Sequence, residues 1–506
     1  MERGSMLEQL TKDAIWDMVI IGGGATGVGC AIDAASRGYK TILVEQFDFA
    51  KGTSSKSTKL VHGGVRYLEQ GNIKLVMEAL RERGHLLKNA AHLTHVQAFI
   101  IPVFSLWEQL FYTIGLKIYD ILSGTLSLGK TKLLSKNQTI QQIPSINAEK
   151  LYGGVLYYDG QFDDSLLCVE MAQTAVQLGA TALNYCKASN FIKDDKGKII
   201  GLVVEDALNK KTYQVKTKVV INATGVFTNA VMQLDDAHKH EFVSPSQGIH
   251  LVVDNKYFSG TAAMMIPKTS DGRVLFAVPW HQKVILGTTD TPVNTINIEP
   301  KPLNEEVEFI LNHFNKYCAT SITRNEVLSV YVGLRPLVNN KNSKAKTAQL
   351  SRAHSLTVSD SGLVTITGGK WTTYRSMAQD AVNNAVFVAK LERKKCITTN
   401  LPIGNLISRL EIVNQLKNTD PVLSELIHPK YLFIKAEIIY AIRNQMAMTL
   451  EDVLARRIRL LFLDARVAIA VAPMVASIMA KELNKDADWT AAQVNGFNLL
   501  AKQYIF

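Results

Sequence analysis

Asp17-Met-Val-Ile-Ile-Gly22-Gly-Gly24-Ala-Thr-Gly27 is the stretch whose reading decides the fold. A short apolar run ends in glycines, and the glycines fit G-x-G-x-x-G. Val28 to Arg37 is compatible with a helix, and Thr41-Ile-Leu-Val-Glu45 reads as a second buried strand ending in an acid. The distance from Gly27 to Glu45 is near that of a dinucleotide fingerprint. Gly22 allows the tight turn, Gly24 lets backbone approach a pyrophosphate, and Gly27 lets helix and strand pack closely. The helix N-terminus then turns its unpaired N–H groups and positive dipole end toward the phosphates. Glu45 can accept from a ribose hydroxyl; its charge disfavours a 2′-phosphate, which argues against NADP.

Outward from this unit comes a polar loop, Gly52-Thr53-Ser54-Ser-Lys-Ser57-Thr58, then the cluster His62-Gly-Gly-Val-Arg66-Tyr67. Residues 72–93 are helical in pattern. Residues 98–128 are aromatic and apolar, interrupted by Glu108, Lys117 and Asp120; they read either as a core helix between domains or as an amphipathic surface for a lipid interface. Residues 151–160 read as strand and turn, Asp164 to Leu178 as a helix, and Val215 to Asn222 as one buried strand. That strand runs into Ala223-Thr224-Gly225, a second approach of backbone to a cofactor. From 241 to 338 many short β segments imply a largely antiparallel sheet. Gly368-Gly369-Lys370 starts a helix and offers a further phosphate or flavin contact. Residues 405–506 are mostly helical, with Thr449 as an N-cap and an acid in the first turn.

The chain has 506 residues, which suggests two or three domains. Hydrophobic residues at 47% against 20% charged exclude a disordered chain. A net charge of +11 suits nucleic acid, an anionic membrane surface or a phosphorylated substrate, and does not choose among them. Cys30, Cys168, Cys186, Cys318 and Cys396 form no C-x-x-C, which argues against a zinc site or disulfide framework and for a reducing compartment. The first residues lack the apolar core of a secretory signal. No apolar run reaches about 18 residues, so no transmembrane helix is expected.

Taken together, the motifs resemble the FAD-dependent, quinone-linked glycerol-3-phosphate dehydrogenases, within the flavoprotein group that includes D-amino-acid oxidase. The likeness rests on Ile20 to Gly27, Gly52 to Leu68, Gly287-Thr-Thr-Asp-Thr-Pro292, Gly333-Leu-Arg-Pro-Leu337, Gly368 to Arg375 and Thr449 to Arg457. It implies an α/β fold: a Rossmann-like FAD-binding domain built from separated segments (14–97, 151–240 and 350–395), an inserted antiparallel β-rich substrate domain (98–150 and 241–349), and a C-terminal all-α domain (396–506). It implies oxidation of sn-glycerol 3-phosphate to dihydroxyacetone phosphate, with electrons passed to a membrane quinone. Many members attach to one leaflet. A bacterial-type enzyme at the cytoplasmic face of the inner membrane, or in the cytoplasm, is expected, since no EF-hand pattern is present. A homodimer is kept open; no metal and no nucleic acid partner is expected.

Oxidising a secondary alcohol requires a base for the hydroxyl proton, and His62 and His250 are the candidates. Arg335, by resemblance, lies near the reacting carbon, where its cation would stabilise developing alkoxide. Also by resemblance, Arg66, Tyr67, Arg352 and Lys370 form the phosphate clamp, although Lys370 could instead face the flavin. Cofactor contacts are expected from Gly22, Gly24, Gly27, Glu45, Thr53, Ser54, Ser57, Thr224, Gly225, Gly369 and Thr372. The rival readings are a glycerol-3-phosphate oxidase that delivers electrons to oxygen, an amine or amino-acid oxidase, and a flavin-binding scaffold without turnover.

Overall fold

The computed structural model describes residues 1–506 except 13, 66, 67, 69, 70, 240 and 339–353. Met18–Ile21 lies in a six-stranded sheet between Thr41–Val44 and Val220–Asn222, parallel to both. Thr181–Leu183 forms one edge; Val364–Gly368 and then His354–Val358 complete the other. Met18, Val19, Ile20 and Ile21 are all buried, as a strand covered on both faces requires. Helix Ala25–Ser36 covers it and meets helix Tyr374–Val388 at Gly29, where a Cβ would stand 2.8 Å from the Tyr374 ring.

A ten-stranded sheet carries the second layer. Its strands are antiparallel apart from Ala263–Ile266, which runs parallel to Thr94–Val103. The pair Val243–Asp254 and Val327–Val338 forms its longest ladder, with a bulge at Val252/Val253. Gly153–Phe162, which the sequence reading placed in the flavin domain, is a full strand of this sheet. Its partners are Thr94–Val103 on one side and Lys132–Ser135 and Leu60–Val61 on the other, none of them joined to it by a tight hairpin turn.

Val215–Asn222 is two strands rather than one. Thr212–Lys216 belongs to a three-stranded antiparallel sheet and Val220–Asn222 to the parallel one. Thr217 stands at the break, its hydroxyl 3.0 Å from the Val219 carbonyl it donates to and accepting from the Val219 amide at 3.4 Å. Helix Arg3–Thr11 has no counterpart in the sequence reading; it buries only Met6 and Leu10 and is anchored by Arg3 on Asp206, 2.9 Å away.

The C-terminal part is helical, with a small hairpin at Leu426–His428 and Tyr431–Ile434 added to the expected helices. Asp452–Arg457 forms a π-helix, and Arg459 follows at φ +60°. Thr449 and Asp452 exchange bonds as an N-terminal cap: the Thr449 amide donates to Asp452 at 2.9 Å and the Asp452 amide to the Thr449 hydroxyl at 3.3 Å.

Helix Leu106–Ser123 is not a core helix, and that half of the sequence alternative is overturned. Its buried positions are Gln109, Thr113, Leu116, Tyr119 and Ser123. Its outer face carries Trp107 at 81% exposure and Ile121 at 76%, with Phe111, Ile114 and Ile118 exposed between them. Among the described residues no helix is long and apolar enough to cross a membrane.

Candidate active site

The cradle forms where the glycine turn meets the second strand. Gly22 sits at φ +114°, and a Cβ there would stand 2.7 Å from the Ala223 carbonyl oxygen. At Gly27 a Cβ would lie 1.9 Å from the Gly22 carbonyl oxygen, so only glycine lets the helix start so close to the strand. Gly24 is the N-cap of Ala25–Ser36 and brings no side chain of its own, no acid stands in the first turn, and the Ala25 amide donates to the Ser54 hydroxyl at 3.0 Å. That leaves a helix end suited to a diphosphate. Glu45 accepts from the amides of Gly23 at 2.6 Å and Phe47 at 2.8 Å. Burial raises its carboxyl above the usual range, while those amides pull the other way. Each oxygen keeps a second lone pair for a ribose hydroxyl.

One cleft runs from Glu45 to Trp371. Gly22, Gly24, Glu45, Thr53, Ser54, Thr224, Gly225, Gly369 and Lys370 all line it. Three expected contacts do not. Gly27 is spent on packing. Ser57 is bound to Asp164, its hydroxyl donating at 2.7 Å and its amide at 3.1 Å. Thr372 donates to the His62 carbonyl at 3.5 Å, which fastens the His62 loop to the helix start after Lys370. Sequence reasoning missed the wall made by Cys186, Lys187, Ala188 and Phe227; no motif marks it, because it forms from the start of one strand and a helical turn far away in the chain.

The second half of the site is a face of the ten-stranded sheet. Register pairs His250 with Tyr331, Gly248 with Gly333 and Ser246 with Arg335. With a side-chain period of two, these positions share one face. Two glycines make room in the middle of it. A Cβ on Gly248 would stand 2.3 Å from Arg335 Nη2, and one on Gly333 2.7 Å from the Lys56 carbonyl oxygen. The segment Thr53–Lys59 therefore crosses this face directly.

His250 is buried, stacked on Tyr331 with ring centroids 4.8 Å apart, and its Nε2 lies 2.8 Å from the Thr58 hydroxyl. Its Nδ1 has no hydrogen-bond partner among the described residues. Burial, then the nearby Lys59 and Arg335 cations, hold the imidazole well below its usual range, so it is neutral at pH 7. Arg335 donates to Thr288 Oγ1 at 3.1 Å and to the Thr289 carbonyl at 2.9 Å, and pairs with Asp290 at 3.3 Å. Thus the structure brings His250 and Arg335 together on one face. His62 is attached to the other rim of the site through Thr372. Arg66, Tyr67 and Arg352 lie outside the described residues.

A glycine cradle on a parallel sheet, an acid closing the second strand and a separate sheet face carrying His250 and Arg335 make the architecture of an FAD-dependent oxidoreductase. The profile of that family, described as FAD dependent oxidoreductase, matches residues 17–375, and one described as the C-terminal domain of alpha-glycerophosphate oxidase matches residues 407–490. The human mitochondrial glycerol-3-phosphate dehydrogenase is 38% identical over 531 residues, covering 96% of this chain and 73% of its own. The chain belongs to the glycerol-3-phosphate dehydrogenase family of FAD-dependent oxidoreductases. Among solved structures, the glycerol-3-phosphate dehydrogenase of Bacillus halodurans, complexed with FAD, aligns at a TM-score of 0.80 and 27% identity, over 100% of this chain and 98% of that one. The L-alpha-glycerophosphate oxidase of Mycoplasma pneumoniae shares the fold at a TM-score of 0.58 and 19% identity, over 77% of this chain and 98% of that one. The cradle glycines, the helix end without an acid in its first turn and Glu45 fit the diphosphate and ribose of FAD.

Proposed function

We propose that the protein oxidises sn-glycerol 3-phosphate to dihydroxyacetone phosphate, with His250 taking the hydroxyl proton and Arg335 stabilising charge on the reacting oxygen. One observation carries this reading: strand register puts a buried imidazole, with an unpartnered ring nitrogen, on the same sheet face as an arginine. An unmet buried nitrogen costs about 1–3 kcal/mol, which a ligand hydroxyl bonded there would recover. When bound, FAD supplies the two-electron acceptor. His250 enters neutral, as a base must, while Arg335 is kept in place by the 288–290 turn. Lys370, at the start of the helical segment and on the cleft wall, supplies one cation for the phosphate; Arg66, Tyr67 and Arg352 complete the clamp.

Electrons then pass to a membrane quinone. The exposed apolar row on helix Leu106–Ser123 and the net charge of +11 support attachment to an anionic leaflet. The C-terminal profile favours a second reading, in which oxygen is the acceptor. Measuring hydrogen peroxide formed per glycerol 3-phosphate consumed, with a soluble quinone present, separates them. Quinone reduction with little peroxide is expected; one peroxide per substrate would overturn the quinone assignment.

A further inference from the structure

A fully buried carboxylate lies behind His250. Asp164 accepts from Lys59 Nζ at 2.8 Å, from Arg459 Nη2 at 2.9 Å, and from the Ser57 hydroxyl and amide. Lys59 and Arg459 each also donate to the Ser55 carbonyl, at 2.6 and 3.3 Å. The carboxylate and its two cations thus fix both ends of Ser55–Lys59, and Thr58, which meets His250, lies between the fixed points.

Both cations sit on disfavoured backbone. Lys59 is at φ +62° and Arg459 at φ +60°, a region that long side chains rarely adopt. Arg459 also follows the Asp452–Arg457 π-helix, a local departure from α geometry. Strain of this kind persists only where surrounding contacts over-determine it, and it gathers at functional sites. A buried ion cluster is a poor way to glue domains, since apolar side chains of the same size often serve as well or better. What the cluster does is directional. Lys59 Nζ lies 5.0 Å from the Tyr331 ring, against whose plane His250 stacks, and the Tyr331 hydroxyl donates to the Ser57 carbonyl at 3.0 Å.

We propose that Lys59, Asp164 and Arg459 form a positioning triad for the oxidation, through which the C-terminal domain holds Thr58 and His250 in place for proton transfer. The inference rests on His250 being the base. The charged groups bearing on His250 are Lys59 from the loop segment and Arg335 from the Val327–Val338 strand. Asp290 stands behind Arg335, and Asp164 behind Lys59; Asp163 pairs with Arg459 at 3.4 Å. Lys59 is the nearer control because it is bound to the segment that touches the imidazole.

The test uses the flavin-loaded protein carrying Arg459→Met, Arg459→Lys, Lys59→Met or His250→Gln, with flavin content, kcat, KM and the pH dependence of kcat/KM measured. Arg459→Met is expected to keep its flavin and a KM within about twofold while kcat falls about tenfold or more, and Arg459→Lys to recover most of it. Lys59→Met removes a cation beside the imidazole, so the acid limb of kcat/KM should move to higher pH. Wild-type turnover and an unmoved limb in both Arg459→Met and Lys59→Met would reduce the triad to inter-domain glue. Should Arg459→Met fail to fold, Lys59→Met decides alone, since it keeps the side-chain volume. Retention of rate and acid limb in His250→Gln would remove the base assignment and the triad's purpose with it. Loss of the limb there, with the limb unmoved in Lys59→Met, would sink the triad only.

Discussion

Gly287 pairs with His250 across two strands, and a Cβ there would stand 2.3 Å from the imidazole Cδ2. Gly287→Ala must therefore displace the ring. It is expected to bind flavin, lose about tenfold or more in kcat, and be destabilised by about 1–3 kcal/mol from overpacking. Turnover assays and thermal unfolding check both. The same imidazole gives a pH prediction. His250 binds fewer protons folded than unfolded, so its contribution to stability is lost on acidification, beginning as pH falls through the unfolded value of about 6.5. A His250→Gln protein should show a shallower fall in melting temperature from pH 7 to pH 5. At this scale the sequence was half legible. Histidines, arginines and glycines stand out as residue types, but which glycine faces which side chain depends on a register between strands some 80 residues apart, and no local pattern sets it.

Helix Leu106–Ser123 shows how an element can carry the right residues and still mislead. Its apolar content suits a buried helix equally well; only the fold reveals that Tyr119 turns inward to donate to Asp159 at 2.8 Å while Trp107 and Phe111 turn outward. Replacing Trp107, Phe111 and Ile114 by polar residues should leave flavin reduction by substrate intact and abolish co-sedimentation with anionic liposomes. Unchanged sedimentation would clear this face of lipid contact. The Thr449–Asp452 cap was readable because a threonine three residues before an acid is a local signal. The π-helix after it was not, since the tight inter-domain bonds of Arg456 and Arg457 dictate it.

Across the molecule, the C-terminal domain grips the flavin domain through charge. Asp48, fully buried in the loop after the second strand, binds Arg456 and Arg457 and accepts from Asn184 at 3.2 Å. Nearby, Glu451 pairs with Lys51 and Arg456, and Glu299 with Lys51 and Lys56, each at 2.7 Å for Glu299. Asp48→Asn leaves Arg457 without its buried carboxylate, while Arg456 keeps Asp452 and Glu451, and should cost about 3–5 kcal/mol, read as a lower temperature of flavin release. Acid should loosen the same joint. The Glu451 carboxyl is held down to about 2 despite its burial, by Arg456 and Lys51. Its stabilising contribution is present above its ordinary value of 4.5 and is lost as pH falls toward about 2. Composition and motif order exposed the three-part architecture because each part has its own periodicity. The interlocking of the parts stayed hidden because it rests on single charged side chains.

Anaerobic addition of glycerol 3-phosphate to the flavin-loaded protein tests the central claim most directly. The bound flavin should bleach with glycerol 3-phosphate and stay oxidised with glycerol or D-alanine, because the site's cations require a phosphate beside the alcohol. Flavin that stays yellow with glycerol 3-phosphate, or bleaches equally with D-alanine, would contradict the account.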